Sequence, residues 1–346
     1  MESWPDILAR LIAKHDLDAT DAEWVMDQIL KNEAPEISMA AFLVALRTKG
    51  ESVGEVTGLA SAMLRHAVRI DVPGRALDIV GTGGDGHHTV NISTMASIVA
   101  AGAGITVVKH GNRAASSKSG AADVLQALGV NLELPPERVA ELATEVGITF
   151  CFAQVFHPAM RFTAPIRKAL GVPTTFNILG PLANPAQPAA SAIGSGSPSL
   201  TPVMAGVLAS QGRDALVFFS EDELDELAGT SPANVWEVRG GTITHTVLDP
   251  VKDLGVPAIT IPDLRGGEAS ENAGVAWSVF NGKTGPVRDT VVLNAAAGLV
   301  ADGTLPGTEE GSLVDRFQAA MALAAASIDD GKATDVLDRW VAASTT

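Results

Sequence analysis

Cysteine is almost missing from this chain. Of 346 residues only Cys151 is one, so neither an intrachain disulfide nor a cysteine-based zinc site can form. Positive charge is scarce as well: Lys and Arg number 24 against 40 Asp and Glu, a formal charge of -16. That balance opposes general affinity for nucleic acid or an anionic membrane, and an anionic ligand would need a local exception. Long apolar runs are also absent. The nearest candidate, Ile92 to Val108, is charge-free but dominated by Ala, Gly, Ser and Thr and is barely long enough to cross a bilayer. It reads as a buried helix handing over to a buried strand at Gly102 and Gly104. The opening residues MESWPDILAR carry acids and a Pro where a signal peptide would carry basic residues, so a cytoplasmic chain is expected. The seven histidines never fall at H-x-x-x-H or H-E-x-x-H spacing, and no G-x-S-x-G occurs, which leaves zinc hydrolysis and acyl-serine chemistry without support.

What is present suits a compact α/β chain of two domains: 46% apolar residues, with 34 Gly and 19 Pro. The first 70 residues read as helices. Thr20-Asp-Ala-Glu23 and Ser52-Val-Gly-Glu55 both have the capping-box form, and Ser38 is placed to cap a helix from Met39 to Lys49 that Gly50 ends. From Ala76 onward short β-branched runs alternate with Ala-rich helical stretches. Residues 76–80, 105–109, 148–153, 189–194 and 215–220 read as strands, and the alternation implies parallel strands joined by crossover helices. The Pro-rich segment 158–188 interrupts this pattern and is expected to return the chain to the helical layer. A hairpin around Gly240-Gly241, further βα texture and two Ala-rich helices follow. The expected architecture is a small N-terminal helical domain, residues 1–70 with 158–188 returning to it, beside a larger α/β domain, 71–157 and 189–346, whose mostly parallel central sheet is flanked by helices.

Three motifs carry chemistry, and each follows an expected strand. The first is DIVGTGGDGHHTVNIST, residues 78–94, a glycine-rich turn running into a helix. Such a turn lets backbone amides close on an anion, to which the helix N-terminus adds partial positive charge. Gly81, Gly83 and Gly86 satisfy G-x-G-x-x-G, but the acid that a dinucleotide site needs about 20 residues on is replaced by Lys109-His110. Asp85 inside the turn would face a pyrophosphate unless a metal or ribose hydroxyls intervened. The second motif, KHGNRAASSKSG at 109–120, gathers Lys109, Arg113 and Lys118 with Asn112, Ser116, Ser117 and Ser119, donors suited to phosphate oxygens. From Gly86 to Ala122 there is no Asp or Glu at all. The third, SEDELDELAGT at 220–230, holds five acids in six positions. Alone it reads as a solvated helix start or as a source of magnesium ligands, whose shell substrate phosphates would complete. Ligands of parallel sheets collect at the carboxyl ends of strands, where all three motifs are expected. Cys151 falls inside an expected buried strand and reads as core.

GTGGDG with TVNIST, KHGNR with SSKSG, HPAMR, FNILGPLANP and LDEL, in this order and spacing, resemble the anthranilate phosphoribosyltransferases over nearly the whole chain. The resemblance implies transfer of the phosphoribosyl group of phosphoribosyl pyrophosphate (PRPP) to the amine of anthranilate, a step of tryptophan synthesis. It implies PRPP-binding positions at Gly81, Gly84, Asp85, Thr89, Asn91, Ile92, Ser93 and Thr94, at Lys109, His110, Gly111, Asn112, Arg113, Ala114, Ala115, Ser116 and Ser117, and at Ala121. Anthranilate would meet Gly81, Asn112 and Arg167, whose guanidinium can pair with its carboxylate. Ser93, Asp225 and Glu226 match magnesium positions, with two ions expected, and His110 and His157 match positions lining the same pocket. A homodimer through the helical domain is also implied. The chain departs from the family where Phe219-Ser220 replaces a His-Gly and Glu223 replaces the glycine of DGLDE. Pyrimidine nucleoside phosphorylases are the enzymatic relatives to exclude, and a non-catalytic nucleic-acid-binding paralogue of the fold is the alternative of another class.

Overall fold

The structure, a computed structural model, describes residues 3–114 and 117–345. Four helices open the chain: α1 (Trp4–Ile12), α2 (Ala19–Leu30), α3 (Glu36–Lys49) and α4 (Val53–Arg65). Their starts correct two expected caps. Asp18, not Thr20, caps α2, its carboxylate accepting from the Asp21 amide at 2.9 Å; an anionic oxygen two residues earlier also complements the helix dipole. Pro35 precedes α3, which has no side-chain cap, and Ser38 lies within its first turn. The Ser52–Glu55 capping box of α4 is present as expected.

The α/β part then runs β1 (Leu77–Gly81), α5 (Ile92–Gly102), β2 (Val107–Gly111), α6 (Ala121–Ala127), α7 (Pro136–Glu145) and β3 (Ile148–Phe152). Three short helices follow β3: α8 (Ala153–Phe156), α9 (Ala164–Leu170) and α10 (Phe176–Leu182). The sheet resumes with β4 (Ala190–Gly194), α11 (Thr201–Ser210), β5 (Asp214–Ser220), β6 (Ala233–Arg239) and β7 (Thr242–Leu248). Gly240 and Gly241 take φ of 55° and 79° in the β6–β7 turn, the left-handed pair a tight hairpin requires. The chain ends in α12 (Pro250–Leu254), α13 (Ala269–Phe280), α14 (Pro286–Asp302), α15 (Leu313–Asp329) and α16 (Lys332–Ser344).

All five expected parallel-type strands form, β2 starting at Val107 rather than Ile105 because Gly104, at φ 104°, is still turning out of α5. The βα texture expected after the hairpin does not form: among the described residues the chain beyond β7 contains no strand of that sheet. Pro257 and Pro262 break the β-branched run 256–264 by removing amide donors, and Val291 and Val292 are absorbed into the buried helix α14, where packing overrides their β preference.

The strand order is β3-β2-β1-β4-β5-β6-β7, parallel from β3 to β5 and antiparallel for the last two pairs. The chain leaves β1 toward β2 and β3, then returns to lay β4 on its other side. The order therefore reverses between β1 and β4, and a crevice opens outside their carboxyl ends. One core lies on the face covered by α5 and α13–α16. The other joins the N-terminal helices through Ile29, Phe42 and Leu59 to Phe176, Leu179 and Leu182 of the Pro-rich segment and to Ile193 and Val217 of the sheet. Cys151 is buried in β3. No helix among the described residues is long and apolar enough to cross a membrane.

Candidate active site

A cavity of about 840 Å³ occupies that crevice. Its floor is made by the strand ends. Gly81 and Gly194 are register partners in β1 and β4, and a Cβ on either would run into Asp225. Two glycines side by side thus let the loop after β5 settle directly onto the sheet. After Gly81 the chain turns through Gly83, Gly84 and Gly86 at φ between 63° and 82°, conformations that glycine adopts without steric cost. It enters α5 at Asn91, and no side chain caps the amides of that helix.

Lys109 stands at the centre, only 1% exposed. Its Nζ donates to the Ile79 carbonyl at 2.5 Å and to Ser93 Oγ at 3.2 Å. Burial pulls its pKa down to about 8, against the attraction of Asp78. Asp78 is itself buried and accepts from the His110 amide and from Asn184 Nδ2. The His110 and His157 rings lie 5.1 Å apart. Each donates to a carbonyl, His110 Nδ1 to Gly180 and His157 Nε2 to Ala183, both at 2.9 Å. Burial, with the neighbouring Lys109 and His110 respectively adding to it, holds their pKa values down to about 4 and about 3. Both rings are therefore neutral near pH 7 and suit a wall more than an acid.

The basic loop after β2 is shaped by Asp123, in the first turn of α6. Its carboxylate accepts from the Ala114 and Gly120 amides and pairs with Arg113 at 2.8 Å. These amides and Arg113 hold its pKa down despite its own desolvation. Arg113 also lies 5.5 Å over the Phe152 ring. Ala115 and Ser116 lie outside the described residues. Of the other expected PRPP positions, Gly81, Gly84, Asp85, Thr89, Asn91, Ile92, Ser93, Lys109, His110, Gly111, Asn112, Arg113, Ala114, Ser117 and Ala121 all line the one cavity. Thr94 does not: its side chain is 2% exposed within α5, and its hydroxyl has no partner.

The same cavity is lined by three acids. Oxygens of Asp85, Asp225 and Glu226 lie within 4.8 Å of one another. The Gly83 amide donates to Asp225 Oδ2 at 2.7 Å and Thr89 Oγ1 to Glu226 Oε1 at 3.2 Å, while Asp85 Oδ2 and Glu226 Oε2 are buried without partners. Burial and mutual repulsion push Asp225 up to about 7 and Glu226 well above its usual range. Anionic oxygens this close, two of them unpartnered, fit a hard divalent cation. Asp85, a PRPP position by resemblance, joins this cluster, in keeping with the metal that its place in the glycine turn left open. Asn294, absent from the sequence reading, fixes the acid loop by donating to the Leu227 carbonyl at 2.8 Å and accepting from the Leu227 amide at 3.2 Å.

The two departures from the family pattern also find their places. Ser220 Oγ donates to the Glu226 carbonyl at 2.7 Å, closing the acid loop. Glu223 takes φ 67° with an exposed side chain, a left-handed conformation that costs a residue with a Cβ about 1–2 kcal/mol. Glu223→Gly is accordingly expected to stabilise the folded chain by about 0.5–1 kcal/mol after the added freedom of glycine in the unfolded chain is subtracted. Urea denaturation would measure it, and an unchanged or lower midpoint would contradict a strained Glu223.

Arg167 of α9 also lines the cavity and sits 5.4 Å over the Phe176 ring, and no acid pairs with it among the described residues. Burial lowers its pKa. Arg161 and Asn177 line the cavity nearby; both lie inside motifs recognised in the sequence, HPAMR and FNILGP, without having been singled out.

Residues 5–67 match the helical bundle domain of a glycosyl transferase family, and residues 73–334 match its a/b domain. Anthranilate phosphoribosyltransferase of Arthrobacter sp. (strain FB24) is 56% identical, over 98% of this chain and 96% of that one. The crystal structure of the Thermus thermophilus anthranilate phosphoribosyltransferase superposes with a TM-score of 0.90 at 41% identity, covering 99% of this chain and all of that one. The Saccharomyces cerevisiae enzyme in complex with PRPP and Mg superposes at 0.87, with 28% identity and 99% and 98% coverage. With its two family domains matched in order and full-length relatives at this identity, the chain belongs to the anthranilate phosphoribosyltransferase family.

Proposed function

We propose that the chain transfers the phosphoribosyl group of PRPP to the amine of anthranilate, releasing pyrophosphate and forming N-(5-phosphoribosyl)anthranilate, the second step from chorismate to tryptophan. The observation that carries this is the joining of three chemistries in one cavity: a donor-rich cradle at 81–94 and 109–121, an acid cluster at Asp85, Asp225 and Glu226, and an Arg on an aromatic ring with no acid partner among the described residues. The cradle suits phosphates, the acids suit magnesium, and Arg167 suits an aromatic carboxylate.

An aryl amine is a weak nucleophile, so the barrier falls mainly through departure of the pyrophosphate. Lys109, held in place by Ile79 and Ser93, stabilises charge growing on that leaving group. Arg167, with Gly81 and Asn112, orients the acceptor so that its amine faces C1 of the ribose. The neutral pair His110 and His157 keeps a second positive charge away from the acceptor. No residue forms a covalent intermediate. Magnesium, when bound, supplies Lewis-acid stabilisation of the departing phosphates; Asp225 and Glu226, with Asp85, would hold one ion and Ser93 would serve a second.

Residues 1–70 with 158–188 form the helical unit in this reading, and 71–157 with 189–346 the phosphoribosyl-binding unit. A second copy of the chain would pack on the helical unit, where Ile12 and Ile37 are 75% and 86% exposed. The single cysteine suits a cytoplasmic location. The test is loss of anthranilate fluorescence on adding magnesium and PRPP together, with neither sufficient alone. Phosphorolysis of a pyrimidine nucleoside without anthranilate turnover would move the chain to the phosphorylases, and retention of nucleic acid on a filter at low salt without either activity would make it a binding paralogue.

A further inference from the structure

Behind the phosphate cradle, outside the cavity wall, Asn272 of α13 is 3% exposed. Its Nδ2 donates to Asn91 Oδ1 at 2.9 Å, and its own Oδ1 accepts from the Gly267 amide at 2.8 Å. The segment leading to it runs alongside the cradle: the Val90 amide donates to the Leu264 carbonyl and the Gly266 amide to the His88 carbonyl, with Thr89 and Arg265 bridged between them. The approach is close enough that a Cβ on Gly266 would come within 2.9 Å of the Thr89 carbonyl.

Asn91 does line the cavity. A carboxamide has two N–H donors and two acceptor lone pairs. Asn91 Oδ1 accepts from Asn272 and, at 3.4 Å, from Ser119 Oγ, while its Nδ2 donates to the Ser119 carbonyl at 3.1 Å. Both lone pairs and one N–H are thereby engaged, and one N–H is left. Turning the amide over would set its NH2 against the NH2 of Asn272 and its oxygen against the Ser119 carbonyl. We infer that Asn272 is a positioning residue for phosphoribosyl substrate binding: it fixes the sense of the Asn91 amide so that a donor, and not an oxygen, remains for a phosphate or ribose oxygen. This rests on the PRPP reading of the cavity.

Two variants test it. Asn272→Ala removes both of its hydrogen bonds. Asn272→Asp keeps the acceptor for Gly267 but removes the donor to Asn91 and favours the reversed amide. Both should raise KM for PRPP by about tenfold, on the scale of one lost or reversed buried hydrogen bond, with kcat and KM for anthranilate within about twofold of the parent. In an Asn91→Ala background neither change should weaken PRPP further, which separates the amide from any direct effect of the new carboxylate. Thermal unfolding establishes that each variant folds. A parent-like KM for PRPP in Asn272→Asp would overturn the inference, since the residue would then act only on Gly267, and so would losses that persist undiminished without the Asn91 side chain. A parent that does not turn over PRPP and anthranilate would overturn the functional reading instead.

Discussion

Asp225→Asn is expected to lower turnover on the order of 10²-fold at a magnesium concentration that saturates the parent, while the metal-free variant melts above the metal-free parent. The two effects have one origin. Asp225 is 7% exposed, and its carboxylate shares a small volume with Asp85 and Glu226. Ionising it there opposes both burial and like charge, which is why its pKa is pushed up to about 7. A group whose ionised form is disfavoured in the folded chain weakens folding above its unfolded pKa, and progressively more as pH rises toward the folded value. Near neutral pH, without metal, removing that charge therefore relieves the fold, and the amide oxygen can still accept from Gly83. With magnesium the balance is expected to reverse, because the same crowded charge would attract the ion, and loss of one anionic ligand would cost about 3 kcal/mol of transition-state stabilisation. Steady-state rates across a magnesium titration and melting curves with and without the ion would check both. A variant that lost activity and stability together would make Asp225 a folding residue and not a ligand.

Arg167→Ala should raise KM for anthranilate on the order of 30- to 100-fold and leave the affinity for PRPP within about twofold. The estimate reflects one charge-assisted, two-pronged pairing with a carboxylate, about 2–3 kcal/mol in a half-buried site. Arg167 has a ring on one face and no acid among its described neighbours, so no ion pair needs to be broken before the acceptor binds. Its removal leaves Phe176 packed in the second core, and stability should change little. Calorimetric titration of PRPP beside acceptor kinetics would decide the matter. Equal loss of both affinities would make Arg167 a structural support of the cavity wall.

Legibility in the sequence followed how local each signal was. Gly83-Gly84-Asp85-Gly86 announces its own geometry, because adjacent glycines take successive left-handed conformations without steric cost and the helix start follows within a few positions. The basic loop could be read because Lys109 ends a short β-branched run and no acid interrupts the stretch around it. Arg167, Asp225 and Glu226 needed the family resemblance, since an Arg in a Pro-rich segment or an acid in an acidic run has an equally good solvated use. Asn272 and Asn294 could not be read at all. Each acts on a loop far away in sequence, and a lone Asn in a helix carries no periodic mark. The C-terminal third was misjudged for a related reason: Val291 and Val292 have strand character locally, and only burial within α14 decides against it.

The glycine pair at the ends of β1 and β4 has a consequence for how such a site can vary over time. Because Gly81 and Gly194 leave room for Asp225 to rest on the bare backbone, the acid loop has no intervening side chain that could be exchanged to adjust its height. One added methyl group at either position would collide with Asp225 and lift the acids off the sheet. Any adjustment of the acid cluster would therefore have to come through the loop itself, where Ser220 and Glu223 lie, and not through the surface beneath it.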